Sequence, residues 1–142
     1  MFSVIIPSLN NLEYLKLCIK SLKRNSKYNH EIIVHSNIGD DGTIDFLKKE
    51  NIKFSHTKYN SGIPAGVNLA ARKATKEYIV YGHDDFYFLP GWDTAFVNEI
   101  KQTKNNLYYF SGTMIQNGQV ELDCGDNLEN FDEQKLLKEH EH

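Results

Sequence analysis

Residues 2–22, FSVIIPSLNNLEYLKLCIKSL, decide the fold. Phe2 to Pro7 is a short apolar run ended by proline, the pattern of a strand buried on both faces. Asn10 or Asn11 supplies a helix cap, and Leu12, Leu15, Cys18, Ile19 and Leu22 then step by three and four along one helical stripe. The same alternation recurs downstream. EIIVH (31–35) reads as a second buried strand, Gly39 to Thr43 as a turn, and Ile44 to Glu50 as a short helix. IKFSH (52–56) reads as a third strand and Asn60 to Pro64 as a loop. Ile63, Val67, Ala70 and Ala74 mark a helix over 63–75, and YIVY (78–81) is a fourth strand. Repeated strand–helix alternation implies right-handed crossovers and a mainly parallel sheet, the α/β class.

The pattern changes after residue 85. Pro90 is placed to open a helix running to about residue 103. Leu107 to Phe110 reads as a strand. TMIQNGQVEL (113–122) carries Asn117-Gly118 between two strand-like halves, a hairpin signal. Residues 132–140 form a short charged helix that closes the chain.

Bulk properties narrow the function. A chain of 142 residues reads as one domain with a core of its own. The net charge is −3, lysine outnumbers arginine 14 to 2, and positive charge is nowhere clustered, which argues against nucleic acid as a partner. Cys18 and Cys124 are too few and too far apart for a disulfide scaffold, and Cys18 sits in an apolar stripe as a small buried hydrophobe. No apolar run is long enough for a transmembrane segment, and the start lacks the basic region of a signal peptide, so a cytoplasmic location is expected.

In an open parallel sheet, ligands bind beyond the carboxyl ends of the strands. The informative residues are therefore Pro7 to Asn10, Ser36-Asn37, Tyr59 to Gly66 and His83-Asp84-Asp85. No G-x-G-x-x-G follows the first strand and no G-x-x-x-x-G-K-[ST] occurs, which disfavours a dinucleotide oxidoreductase and a P-loop NTPase. Adjacent carboxylates at Asp84-Asp85 repel each other unless a cation or hydrogen-bond donors compensate. A hard divalent ion shared with substrate phosphates is the usual compensation, and a solvated acidic turn is the plainer alternative.

These segments together resemble the nucleotide-binding half of family-2 glycosyltransferases of the GT-A fold. SVIIPSLNNLEYLKLCIKSL (3–22) is similar to the family's first strand, P-[ST]-x-N turn and first helix. EIIVHSNIGDDGT (31–43) resembles its second strand and acidic D-x-G-S-x-D-G-T turn, and NSGIPAGVNLAARKA (60–74) its N-x-G…N loop and helix. YIVYGHDDFYFLPGW (78–92) resembles the strand bearing the D-x-D-type motif, followed by P-G-W. The likeness spans residues 3–92. It implies a Rossmann-like three-layer sandwich with a mainly parallel sheet, a C-terminal β-hairpin and a short closing helix. Within the single domain 1–142, residues 1–92 would bind the nucleotide sugar, and 93–142 would be a reduced acceptor and catalytic part.

The resemblance implies a sugar transfer from a nucleoside-diphosphate sugar, most simply a UDP-sugar, with Mn²⁺ or Mg²⁺ on the pyrophosphate and inversion at the anomeric carbon. Pro7, Ser8, Asn10, Ser36, Asn37, Gly62, Asn68, His83 and Asp84 would serve the nucleotide, Asp84 as a ribose partner. Asn68 reads equally as a helix-surface amide. Ser36 stands where the family usually has an aspartate that accepts from uracil, and His83 where it has the first acid of D-x-D. Asp85 is then the metal ligand. His83 is either a further ligand or a supporting side chain, and His140 in the closing E-H-E-H is either a ligand or part of a solvated end. Asp132, with Glu133 as its competitor, resembles the acid that deprotonates the acceptor at the start of a late helix, and it is equally a helix cap. Asp123 and Asp126 are further candidates, and Ser111-Gly112-Thr113 resembles a glycine loop near the donor sugar. Trp92 with Phe86-Tyr87-Phe88 is either a sugar-stacking wall or core. The acceptor (glycan, lipid or protein) and a second copy of the chain remain open as partners. The competing readings are a nucleotide-sugar-binding module with little turnover and a nucleotidyltransferase. The latter wants a basic glycine-rich loop after the first strand, and Ser8-Leu9-Asn10-Asn11 supplies neither glycine nor lysine.

Overall fold

The computed structural model describes residues 1–105, 108–115 and 122–140. The elements are β1 (Phe2–Leu9), α1 (Leu12–Asn25), β2 (Glu31–Asn37), α2 (Thr43–Lys49), β3 (Lys53–Thr57), α3 (Ile63–Ala71), β4 (Tyr78–Tyr81), α4 (Trp92–Gln102) and α5 (Glu133–Glu139). The chain forms two compact units, one from Met1–Lys23 with Tyr28–Tyr87 and the other from Arg24–Lys27 with Phe88–His142.

The first unit is the α/β body. Its strands run in the order β3-β2-β1-β4, and every neighbouring pair is parallel. From β1 the chain steps to β2 and on to β3, then returns across the sheet to β4. Right-handed crossovers therefore place α1 and α2 on one face and α3 on the other. On the α3 face, Ile5 pairs with Ile33 and both are fully buried with Ala70, with Val67, Ala71 and Ala74 packed around them. Val4, Ile6 and Val34 alternate to the opposite face and are equally buried, as is the α1 stripe Leu15, Cys18, Ile19 and Leu22. Each such side chain contributes roughly 1.5–3 kcal/mol by leaving water.

Two boundaries differ from the sequence expectation. β1 runs through Pro7 to Leu9 instead of ending at the proline. Within a strand, a residue's N–H and C=O point to the same neighbour and alternate along the chain. Ile5 O accepts from Gly82 N at 3.0 Å, so Ile5 and Pro7 both turn toward the β4 side. The pairing with β4 stops at Ile5–Tyr81, so the missing N–H of Pro7 breaks no ladder bond. Likewise, Pro90 does not open α4. Gly91 takes the N-cap position at φ +84° and the helix begins at Trp92.

The second unit holds α4 and α5. Trp92 packs between Phe88 and Phe96, with ring centroids at 5.0 and 6.0 Å, and its indole N–H donates to Ser26 at 3.1 Å. Tyr108 to Phe110 is irregular where a strand was expected. No partner strand lies beside it among the described residues, and Tyr109 is 91% exposed. The start of that expected strand, Leu107, and the hairpin turn Asn117-Gly118 lie outside the described residues. Among the described residues, no helix is long and apolar enough to cross a membrane.

Candidate functional site

The order 3-2-1-4 reverses direction at β1, so the crevice between the ends of β1 and β4 is the topological switch point. Ser8 and Ser36 stand opposite each other in the β1–β2 register near that edge. They are 4% and 1% exposed, and neither Oγ has a hydrogen-bond partner. An unpartnered buried hydroxyl is costly, so a pair at a ligand edge is an observation about function as much as about stability. Gly39 lies over Ser36, and a Cβ there would come within 2.4 Å of Ser36 Oγ.

Asn10 and Asn37, both expected at the nucleotide, are committed to the protein. Asn10 adopts φ +47°; its Oδ1 accepts from Gly39 N at 2.9 Å, and its Nδ2 donates to Asp40 at 2.6 Å. It therefore clasps the β1–α1 turn to the β2–α2 turn. Asn37 Oδ1 accepts from Ser61 N and Ser61 Oγ, both at 2.8 Å, and from Thr57 Oγ1 at 3.2 Å. It anchors the loop leading to Gly62, which caps α3 at φ +78°. Pro7 pairs with His35, and Asn68 is exposed on α3.

Beyond β4, the backbone turns at His83-Asp84-Asp85. Gly82 N continues the ladder to Ile5 O, and Phe86 N donates to His83 O at 3.3 Å. The Tyr81 hydroxyl lies 2.7 Å from His83 Nε2, and the His83 ring sits between those of Tyr81 and Phe86 at 4.9 and 5.1 Å. Burial, reinforced by the Asp85 charge, pushes the Tyr81 hydroxyl pKa up, so the phenol at Nε2 is neutral. That engages the nitrogen a metal would want and fits His83 as a supporting side chain. Asp84 is half-buried and Asp85 exposed. Cys18 lies beneath this turn and donates to His83 O at 3.3 Å; burial first, then Asp84 and Asp85, drives its pKa far above the thiol range. It is an inert core residue, as its place in the α1 stripe predicts.

A divalent ion fits the donor chemistry at Asp84-Asp85. Two hard carboxylates on one turn suit Mg²⁺ or Mn²⁺. No group of three or more metal-binding side chains occurs among the described residues. An ion there would be held by one or two carboxylates together with the phosphates of a ligand.

In the second unit, Asp132 is exposed and caps α5, its Oδ1 accepting from Lys135 N at 2.9 Å. Glu133 is paired with Arg24 at 3.3 Å. His140 is the C-cap of α5, with Nδ1 3.0 Å from Leu137 O. Asp123 Oδ1 accepts from Gly125 N, and Asp126 N donates to Asn130 Oδ1, both at 2.9 Å. Ser111 to Thr113 is exposed.

Three contributors, Asp41, His35 and Asp93, escaped the sequence reading. Asp41 Oδ2 accepts from Leu12 N at 2.9 Å and Oδ1 from Thr43 N at 3.1 Å, so one carboxylate caps both α1 and α2. Partial burial raises its pKa, but hydrogen bonds from Thr43 and Leu12 outweigh that and lower it. It takes over the capping expected of Asn10 or Asn11. His35 joins Ser61 and Asn37 in a half-buried network. Asp93 is fully buried in the first turn of α4, where the helix dipole favours negative charge. An acidic residue two positions before the α2 helix was the available signal for Asp41; nothing local marks His35.

The model of the glycosyl transferase family 2 matches residues 3–139. The chain is 30% identical over 93 residues to the poly(ribitol-phosphate) beta-N-acetylglucosaminyltransferase TarS of Staphylococcus aureus, covering 61% of this chain and 16% of that protein. The crystal structure of S. aureus TarS 1–349 in complex with UDP superposes with a TM-score of 0.60 at 25% identity, over 71% of this chain and 32% of that one. The mannosyltransferase PcManGT from Pyrobaculum calidifontis, in complex with GDP-Man and Mn²⁺, shares the fold at a TM-score of 0.61 and 22% identity, over 73% of this chain and 32% of that one. The chain thus spans about a sixth of the length of the curated relative and a third of the solved ones.

Proposed function

Since the chain belongs to glycosyl transferase family 2, we propose that it binds a nucleoside-diphosphate sugar at the β1–β4 switch point and transfers the sugar to an acceptor hydroxyl with inversion. The observation that carries this reading is the pair of unpartnered buried hydroxyls, Ser8 and Ser36, on the same sheet edge as Asp84-Asp85. The nucleoside would meet Ser8 and Ser36, and UDP is the favoured nucleotide because the TarS relative is solved with it. Asp85 would hold Mn²⁺ or Mg²⁺ with Asp84 beside it, and such an ion neutralises charge developing on a leaving diphosphate.

In the transfer itself, the acceptor oxygen bonds to the anomeric carbon as the carbon–oxygen bond to the diphosphate breaks. The electron pair leaves with the diphosphate, and the acceptor proton passes to a carboxylate. Asp132 is the proposed base; the pairing of Glu133 with Arg24 favours Asp132 over its neighbour.

The test is calorimetry of UDP with and without Mn²⁺, on the wild-type chain and on Asp85→Ala. Mn²⁺-dependent binding that disappears in the variant supports the reading, and unchanged affinity at saturating Mn²⁺ overturns it. Single-turnover transfer or donor hydrolysis follows, with UDP-N-acetylglucosamine as the first donor because of the TarS relative's name. Binding without either reaction would make the chain a nucleotide-sugar-binding module.

A further inference from the structure

His35 is fully buried in the middle of β2, yet both faces of its ring chemistry are used. Nδ1 lies 2.8 Å from Ser55 Oγ. Nε2 lies 3.3 Å from Thr57 Oγ1 and 3.4 Å from Ser61 Oγ. Ser61 Oγ gives its hydrogen to Asn37 Oδ1, and Thr57 Oγ1 gives its hydrogen to Tyr59 O at 2.8 Å or to Asn37 Oδ1. With those bonds made, both hydroxyls turn lone pairs toward the imidazole, the arrangement that suits a proton on Nε2 and a donor hydroxyl at Ser55. The ring is a neutral relay between β3 and the loop that ends at Gly62.

That loop lies beyond the carboxyl end of β3, on the edge where the sheet receives a ligand. It has no apolar anchor: Tyr59 is 68% exposed, and Ser61 is held through Asn37 and His35. Gly62 then starts α3 without a side-chain cap. The position of the α3 start is therefore set by a polar network under the loop.

We propose that His35 is a positioning residue for the nucleotide site, holding Ser61 and Thr57 so that the 59–62 loop and the α3 N-terminus keep their ligand-ready placement. This rests on the nucleotide-binding reading given above. It assigns part of the affinity for the nucleotide to a residue beneath the loop rather than on it. The charged and titratable groups facing the ring are few. β1 and α3 contribute none, and β3 contributes His56, whose Nε2 lies 2.8 Å from Ile38 O. Burial outweighs an opposing hydrogen bond with Asn37 and, with a smaller push from His56, lowers the His35 pKa and keeps the ring neutral.

The experiment is UDP binding in Mn²⁺ on the whole chain, with three single variants and one double variant. His35→Leu removes both ring nitrogens, and UDP affinity should fall about tenfold, the worth of a hydrogen bond or so. His35→Gln keeps an N–H near the position of Nε2 and should restore affinity to within about threefold. Ser61→Ala should weaken binding, and the double variant His35→Leu/Ser61→Ala should lose no more than the worse single one, because both act through one contact. The wild-type affinity should also fall more steeply in acid than that of His35→Gln. A wild-type chain that fails to bind UDP at all refutes the parent reading instead. If wild type binds and His35→Leu, folded by circular dichroism, binds equally well, the positioning role is overturned. If His35→Leu does not fold, a Ser61→Ala chain that binds UDP as tightly as wild type overturns it.

Discussion

Gly66 of α3 lies directly against His35 of β2: a Cβ on Gly66 would come within 2.6 Å of the imidazole Cδ2. The helix approaches the sheet at that one point because nothing projects from it. Gly66→Ala forces either the ring or the helix to move, which overpacking studies place at roughly 1–3 kcal/mol. Urea unfolding should show a lower midpoint at an unchanged slope. An unchanged midpoint would mean the contact yields without strain.

Glu31 gives a stability term of known sign. Burial raises its pKa, but hydrogen bonds from Lys53, Ser3 and Thr75 outweigh this and hold it at about 2, against 4.5 ordinarily. A depressed carboxylate stabilises the fold fully above its unfolded value, and the contribution fades as pH falls from 4.5 toward 2. Glu31→Gln should therefore cost roughly 1–3 kcal/mol at pH 7. The gap from wild type should narrow near pH 2.5, measured by chemical denaturation at both values. A gap that stays constant with pH would remove charge from the explanation.

The His35 linkage runs the other way in mechanism but also toward acid weakness. Its folded pKa lies below the ordinary histidine value, so the unfolded chain takes up the proton first. Above about pH 6.5 the residue contributes no pH dependence, and below it stability should decline as pH falls. Thermal melts of wild type and His35→Gln between pH 7.5 and 5.5 should diverge only at the acid end. Parallel curves would show that the folded ring titrates normally.

Asp132 separates capping from chemistry by choice of substituent. Asparagine caps a helix as well as aspartate does, whereas alanine costs about 1 kcal/mol. Asp132→Asn should thus melt like wild type and bind UDP equally, yet transfer sugar roughly 10²–10⁴-fold more slowly. Transfer surviving within a factor of a few would move the base elsewhere, and a collapse of UDP binding would make Asp132 purely structural.

The sequence made the α/β body legible because its strands carry their message locally. The all-apolar runs at Val4–Ile6 and Ile33–Val34 need cover on both faces, and only crossover helices give it. Strand-end residues were readable for the same reason: once the strands are placed, Ser8, Ser36 and Asp84-Asp85 fall on one edge. What stayed hidden acts across the chain. Asp41 caps α1 from 29 residues away, and His35 meets Ser61 from 26 away. No window of sequence contains both partners. Pro7 misled because its effect depends on which neighbour its nitrogen would have faced, which strand order settles and local pattern does not.

That proline also has a consequence for who else can approach. Past Ile5, no strand pairs with β1 on its β4 side among the described residues, although the strand stays buried through Ser8. Pro7 turns toward that side with no hydrogen to offer, so a β-ladder cannot continue unbroken past Ile5. The interruption bears on backbone pairing alone, and a small molecule, which needs no continuous ladder, is not excluded by it.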